Sequence, residues 1–102
     1  MENRFFRRVH INHRIDALAQ DGFFQCRLEN ISLGGIFIKT KKCISAGEQI
    51  EINIPLRNDF TISRFAAKLT AIRSEERGTA FKFKELDPKN FWTLQSFIAS
   101  AN

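Results

Sequence analysis

The chain has no tyrosine and a single tryptophan, Trp92, although it carries eleven phenylalanines. Tyr and Trp bring a polar tip to surfaces that stay partly wet; Phe brings none, so these rings are read as falling mostly in core phase. Cysteine is scarce too. Cys26 and Cys43 lie seventeen apart and match neither a Cys-x-x-Cys pair nor a zinc spacing, which leaves them as buried or half-buried thiols of a reducing compartment. Proline occurs twice and glycine five times in 102 residues, and no repeat, low-complexity tract or linker is present. No apolar run approaches the roughly eighteen residues of a spanning helix, and no signal peptide opens the chain. The expectation is a soluble, cytoplasmic protein without membrane insertion, in which the Asn30-Ile31-Ser32 glycosylation match is idle.

Catalytic signatures are missing as well. There is no G-x-x-x-x-G-K-[ST], G-x-S-x-G or H-E-x-x-H, and the neighbouring carboxylates Glu75-Glu76 fall in a charged turn. His10 and His13, three apart on an extended segment, face opposite ways and do not share a metal. No enzyme activity, no metal and no cofactor are expected.

What is present is one core's worth of apolar residues, 43% of the chain, and a net charge of +5. That charge favours anionic partners such as phosphates, nucleic acid or acidic protein surfaces. It is unevenly spread: Arg4, Arg7, Arg8 and Arg14 stand against Glu2 alone in the first fourteen positions, which is +3 of the +5. Lys39, Lys41 and Lys42 form a second basic patch, read as solvated or facing a partner.

Residues 1–8 read as an arginine arm, in which Phe5 and Phe6 pack on the rim of the fold or hold the arm when ligand is present. From Val9 the pattern alternates through Ile11, His13, Ile15 and Ala17, and Asp21-Gly22 is read as a two-residue hairpin turn. Phe24, Cys26 and Leu28 return; Asn30–Gly35 is read as interrupting the ladder before a short strand over 35–40. Ile50, Ile52, Ile54 and Leu56 alternate without fault. Residues 60–73 form one long strand whose phase slips near Ser63–Arg64, which suggests a bulge there. A last strand covers 79–84. The period then changes: Asp87 as N-cap, Pro88 at the first helical position, and Phe91, Leu94, Ile98 and Ala101 at helical spacing. The predicted architecture is a single all-β domain over 1–102: a small six-stranded antiparallel (split) β-barrel over 9–84 and a C-terminal α-helix over 87–101.

Two short stretches carry chemistry. A glycine-bearing break between strands exposes backbone N–H groups to an anion. Asn30 adds an amide with donor and acceptor, Ser32 a rotatable hydroxyl, and Gly34 and Gly35 permit unusual dihedrals and close approach. Arg4 and Arg8 are planar, permanently charged forks that suit phosphate or the O6/N7 edge of guanine. In an extended arm they point to one side, about 13 Å apart by strand rise.

The pair of motifs, Arg4-x-x-x-Arg8 followed by Val9, then Asn30-x-Ser32-x-x-Gly35 one hairpin later, resembles the cyclic di-GMP site of PilZ domains. The resemblance runs through nearly the whole chain, including Gly78-Thr79-Ala80-Phe81 and the helix from Asp87. It implies a cyclic di-GMP receptor without enzyme activity. Arg4, Arg8, Asn30, Ser32 and Gly35 would bind the ligand, with Arg7 and Gly34 as additional candidates. The arm would order over the 30–35 loop and relay the signal to an unidentified effector protein. Many members have Asp where Asn30 stands, and often a further basic residue where Asn3 stands. One bound ligand or an intercalated pair remain alternatives. Two other readings stand beside this one. The first is a small barrel for single-stranded nucleic acid, disfavoured because the charge sits at one end. The second is a PilZ-like protein-interaction adaptor that binds no nucleotide.

Overall fold

Residues 7–101 are described by the computed structural model. Among them are six strands and one helix: β1 (Val9–Ala19), β2 (Gly22–Ser32), β3 (Gly35–Lys39), β4 (Gln49–Arg57), β5 (Ile62–Glu75), β6 (Gly78–Glu85) and α1 (Pro88–Ser100). All neighbours pair antiparallel, and the order β1-β2-β3-β6-β5-β4 closes on itself. The six-stranded antiparallel barrel with a C-terminal helix read from the sequence is the fold. Its seam is short, since β1 meets β4 only through Ala17↔Ile52 and Leu18↔Glu51. Pro55, which has no N–H to donate, lies in the stretch of β4 that β1 leaves unpaired.

Inward positions alternate cleanly along β4, where Ile50, Ile52, Ile54 and Leu56 are buried between exposed neighbours. Leu28, Ile31, Ile38, Phe65, Leu69 and Leu94 are fully buried, and each contributes about 1.5–3 kcal/mol by leaving water. Phe83 meets Phe65 edge-on, with ring centroids 6.0 Å apart. The phenylalanines as a group do not fill the core. Phe65 and Phe81 do, but Phe23, Phe60 and Phe91 are exposed, and Phe37 is buried apart from the core cluster, under the Arg77 guanidinium. A barrel this narrow is filled by its Ile, Leu and Ala positions, and few rings fit beside them.

Two local expectations are corrected. Ala19 pairs with Gly22, so the first turn is Gln20-Asp21 rather than Asp21-Gly22. Gly22 opens β2 at φ 124°, a backbone that side-chain-bearing residues rarely adopt. The bulge expected at Ser63–Arg64 is absent, because β4 and β5 keep one register from Gln49↔Thr70 to Arg57↔Ile62. The sequence-level slip came from counting Phe60 and Ile62 as core. Phe60 instead sits in the connection between β4 and β5, where Asn58 Oδ1 accepts from the Phe60 and Thr61 N–H groups, both at 2.8 Å. The irregularities lie further on, where β5 meets β6, with register shifts between Lys68 and Leu69 and between Ala71 and Arg73.

The helix begins as its sequence dictates. Asp87 accepts from the Asn90 N–H at 2.8 Å, and Pro88 follows it. Asn90 Oδ1 in turn accepts from the Ala66 N–H of β5 at 2.8 Å, and Asn58 Nδ2 donates to Ser96 Oγ at 2.7 Å. These bonds, with Leu94 and Ile98 buried beneath, hold α1 along β4 and β5.

Both cysteines are free thiols, Cys26 buried and Cys43 exposed. Burial, with the Asp16 carboxylate adding to it, pushes the Cys26 thiol up to about 11. Iodoacetamide at pH 8 is therefore expected to alkylate Cys43 alone in the folded protein and both after denaturation. Equal labelling of the two in the native state, read by peptide mass, would contradict the burial of Cys26.

Candidate functional site

The second motif is not a break in the sheet. Asn30 pairs with Phe37, Ile31 with Ile36 and Ser32 with Gly35, so β2 and β3 run unbroken into a tight hairpin whose turn is Leu33-Gly34. The expected interruption of the ladder is replaced by a slip in phase just before it. The register shifts between Leu28 and Asn30, and Leu28 and Ile31, three apart, are both fully buried. Asn30 is thereby left half-buried beside the core instead of within it. A second irregularity faces it on β1, between His10 and His13, where Asn12 takes φ 61°. Asn tolerates that left-handed backbone better than most residues.

Ser32 is 3% exposed, and its hydroxyl works inside the turn. It accepts from the Gly34 N–H at 3.1 Å and donates to the Gly35 carbonyl at 3.5 Å. Because the Gly34 N–H is already engaged, the positive character of the site comes from arginine rather than from an open nest of amides. Gly34 and Gly35 do not adopt positive φ. What Gly35 supplies is space: a Cβ there would stand 2.0 Å from the Phe81 carbonyl oxygen of β6. The sequence pointed to glycine for its dihedral freedom, and the reason is the close passage of a neighbouring backbone.

Arg8 joins the two motifs. Its Nη1 donates to Asn30 Oδ1 at 3.2 Å, across twenty-two residues of chain. His10 lies opposite Asn30 in the ladder, with both its side chain and that of Arg8 exposed. Arg7 turns elsewhere. Its guanidinium donates to the Ile98 carbonyl at 3.2 Å and to the Ala101 carbonyl, at the C-terminal end of α1. The Ile98 carbonyl also accepts from the Ala101 N–H at 3.3 Å, and a cation suits this end of the helix dipole. Residues 1–6, the rest of the predicted arm with Arg4, Phe5 and Phe6, lie outside the described residues.

Of the predicted residues, the structure thus brings Arg8, Asn30, Ser32, Gly34 and Gly35 to one end of the β2–β3 hairpin and sends Arg7 to the helix. The helix contact left no trace in the sequence, because nothing local marks an arginine as the cap of a helix ninety residues away. The phase slip did leave one, since the apolar positions 24, 26 and 28 are followed by 31 and not by 30. Among the described residues, no group of three or more His, Cys, Asp or Glu is placed to hold a metal. Nor is any helix long and apolar enough to cross a membrane.

The family model described as PilZ domain matches residues 2–100 of the chain. Two solved structures share the fold at 14% sequence identity. The Bacillus subtilis inhibitor of motility MotI/DgrA aligns over 97% of this chain with a TM-score of 0.76; this chain spans about half of that protein, 51%. The PilZ domain of CeSA from a cellulose-synthesizing bacterium aligns over 91% of this chain and 95% of its own, with a TM-score of 0.68. No curated protein matches the sequence.

Because the Phe81 carbonyl occupies the place of a side chain at position 35, Gly35→Ala is expected to destabilise the fold by about 1–3 kcal/mol, the range of an overpacked site. Urea denaturation measures it. A midpoint unchanged from wild type would show that the β3–β6 approach is looser than described.

Proposed function

Since the chain belongs to the PilZ domain family, we propose that it is a cyclic di-GMP receptor and adaptor of the cytoplasm. Its arginine arm closes over the Asn30–Gly35 hairpin when ligand binds, and a partner protein reads the result. The observation that carries this reading is the Arg8–Asn30 hydrogen bond, which unites two motifs otherwise separated by a whole hairpin.

The chemistry follows from the groups present. Arg8 is exposed and, among the described residues, is held by a single neutral acceptor, a bond it can exchange for a phosphate or for the O6/N7 edge of guanine, a stronger bidentate partner. Releasing Arg8 frees Asn30 Oδ1 to accept from a guanine N–H, while its Nδ2 can donate. Ser32 and Gly35 fix the hairpin against β6 and so set the height at which Asn30 stands. Arg4 supplies the second guanidinium of the arm. Ligand shifts the arm only by its preference for the closed arrangement over others.

A relay is built into the same stretch. Arg7 and Arg8 are consecutive, and they reach to opposite sides, one to the end of α1 and the other to the hairpin. A change of partner at Arg8 is felt by the backbone of Arg7, and through it by the last carbonyls of the helix. The surface offered to a partner is then the arm together with the end of α1.

Isothermal titration calorimetry of cyclic di-GMP into the protein, with GTP and cyclic di-AMP as controls, tests the receptor reading. Saturable, guanine-dinucleotide-specific binding is expected, and its stoichiometry distinguishes one ligand from an intercalated pair. Arg8→Ala and Arg4→Ala should each weaken it by about 1–3 kcal/mol, the scale of a lost bidentate contact, with little change in melting temperature. If both substitutions left affinity untouched, the site assignment would fall. Arg7→Ala should instead lower the stability of α1 by about 0.3–1 kcal/mol, the worth of a cation at a helix end. Hydrogen exchange of the last helical turn reports that change.

A further inference from the structure

A wide concavity of the described residues lies away from the nucleotide motifs. It is an open groove of about 1040 Å³ at the other end of β2, between the β1–β2 hairpin, the 40–48 loop and the β5–β6 turn. None of Arg8, Asn30, Ser32, Gly34 or Gly35 lines it. Six cations do: Arg14, Arg27, Lys39, Lys41, Lys42 and Arg77, against the carboxylates Glu75 and Glu76.

The arrangement of three of them is costly for an isolated fold. Arg14 stands directly opposite Arg27 across β1–β2, and Arg27 directly opposite Lys39 across β2–β3. Like charges opposed on neighbouring strands repel, and here three stand in one row about 10 Å across. Among the described residues, no carboxylate forms a salt bridge with any of the three. Among the described residues, the Arg27 side chain bonds to the Asn12 carbonyl and side chain, at 3.4 and 3.2 Å. Elsewhere on the rim Asp21 and Glu75 are engaged, while Glu76 stands exposed in the β5–β6 turn. Asp21 holds Lys42 at 2.9 Å, a bond that lowers the Asp21 carboxyl below its usual range, and Glu75 is engaged by Arg73 at 2.9 Å.

The backbone beside this row is also unfinished. Residues Gly22–Cys26 of β2 pair with β1 alone, because the ladder to β3 starts at Arg27↔Lys39. On the other edge, among the described residues, the Thr40 hydroxyl reaches the Gln25 carbonyl at 3.4 Å and no strand follows. The loop that walls this edge is firmly seated. Ile44 is buried, its carbonyl accepts from Ser74 Oγ, and the Gly47 N–H donates to the Ala71 carbonyl at 2.8 Å.

We infer that this groove docks an extended, acidic segment of a partner protein, which lies past Thr40 and Lys42 along the stretch of β2 that no second strand pairs, with its carboxylates against Arg14, Arg27, Lys39 and Lys41. A free strand edge binds an extended peptide through its main chain, and the cations select its side chains. Single-stranded nucleic acid fits less well. It needs exposed rings to stack on, and the one aromatic in the lining, Phe24, is half-buried with Lys42 above it, 5.6 Å from the ring centre. The inference supplies the partner's chemistry for the receptor reading above, and it is tested without nucleotide so that the two can fail separately.

The probe is a fluorescent octapeptide of alternating Glu and Val, titrated into the full chain at low salt and read by anisotropy. Saturable binding is expected, weakened by added salt, lost for the Lys–Val counterpart and reduced when a central Val is replaced by Pro. The double variant Arg27→Glu/Lys39→Glu should bind about tenfold more weakly or worse, in line with two lost charge pairs. Should that variant fail to fold by circular dichroism, Lys41→Glu, which lies in the loop, carries the same test. Cyclic di-GMP titration of each variant should match wild type. The inference is overturned if the peptide binds the variants as it binds wild type, or if an oligothymidylate of equal charge binds more tightly. It is also overturned if the variants lose cyclic di-GMP, which would make the groove part of the nucleotide site.

Discussion

A β-strand shows alternate residues to opposite faces, yet β2 must give the core both Leu28 and Ile31, three positions apart. It does so by a single shift of register between Leu28 and Asn30, and the rest of the site follows from that shift. Without it, burying Ile31 and Leu28 together is impossible, and a strict alternation from Leu28 would turn Asn30 inward as an unpaired amide. With it, Asn30 stands half-exposed at the level where the arm enters, within reach of Arg8. The core thus fixes the position of a polar group that the core does not need. Small barrels use irregularities in this way, to re-aim one side chain while the ladder continues.

The same economy governs the hairpin turn. Ser32 would be a poor residue to bury if its hydroxyl were idle, but the turn supplies a donor in the Gly34 N–H and an acceptor in the Gly35 carbonyl. Gly35 lets β6 approach until the Phe81 carbonyl fills the space of a missing side chain. These residues support the hairpin, and the Arg8 guanidinium stands exposed beside it. In the proposed reading the affinity resides in Arg4, Arg8 and Asn30, while Ser32 and Gly35 determine whether Asn30 is where a guanine edge requires it.

Most of the fold was legible because its strands obey period two and its helix carries its own start signal in Asp87-Pro88. Two of the errors share one cause. Phe60 and Ile62 were counted as core because they are apolar, but Phe60 sits in the turn fixed by the Asn58 side chain and Ile62 is an exposed position of β5, so no bulge is needed before Phe65. Composition misled in the same direction, since eleven phenylalanines suggested more interior rings than six strands can enclose. The site was legible as a set of residues but not as a geometry. Sequence motifs placed Arg8 and Asn30 on the same list; only the register of β1 against β2 puts them 3.2 Å apart. The helix contact of Arg7 and the cross-strand row of Arg14, Arg27 and Lys39 are products of tertiary pairing, and neither has a local signature.

That row bears on how the two proposed sites would share one barrel. Arg27 donates to Asn12 at the left-handed position of β1, four residues beyond Arg8. The irregular segment between His10 and His13 is therefore held from one side by a groove cation and leads directly into the arm on the other. Regular ladders transmit displacement poorly, because each hydrogen bond resists sliding, whereas a bulge has slack in its backbone. If occupancy of the arm and of the groove are coupled, Asn12 is the place where the coupling has to pass. An anion that draws Arg27 toward the groove removes its hold on the Asn12 carbonyl, and a ligand that draws Arg8 pulls on the same segment from above. The two demands meet at a residue that binds neither partner.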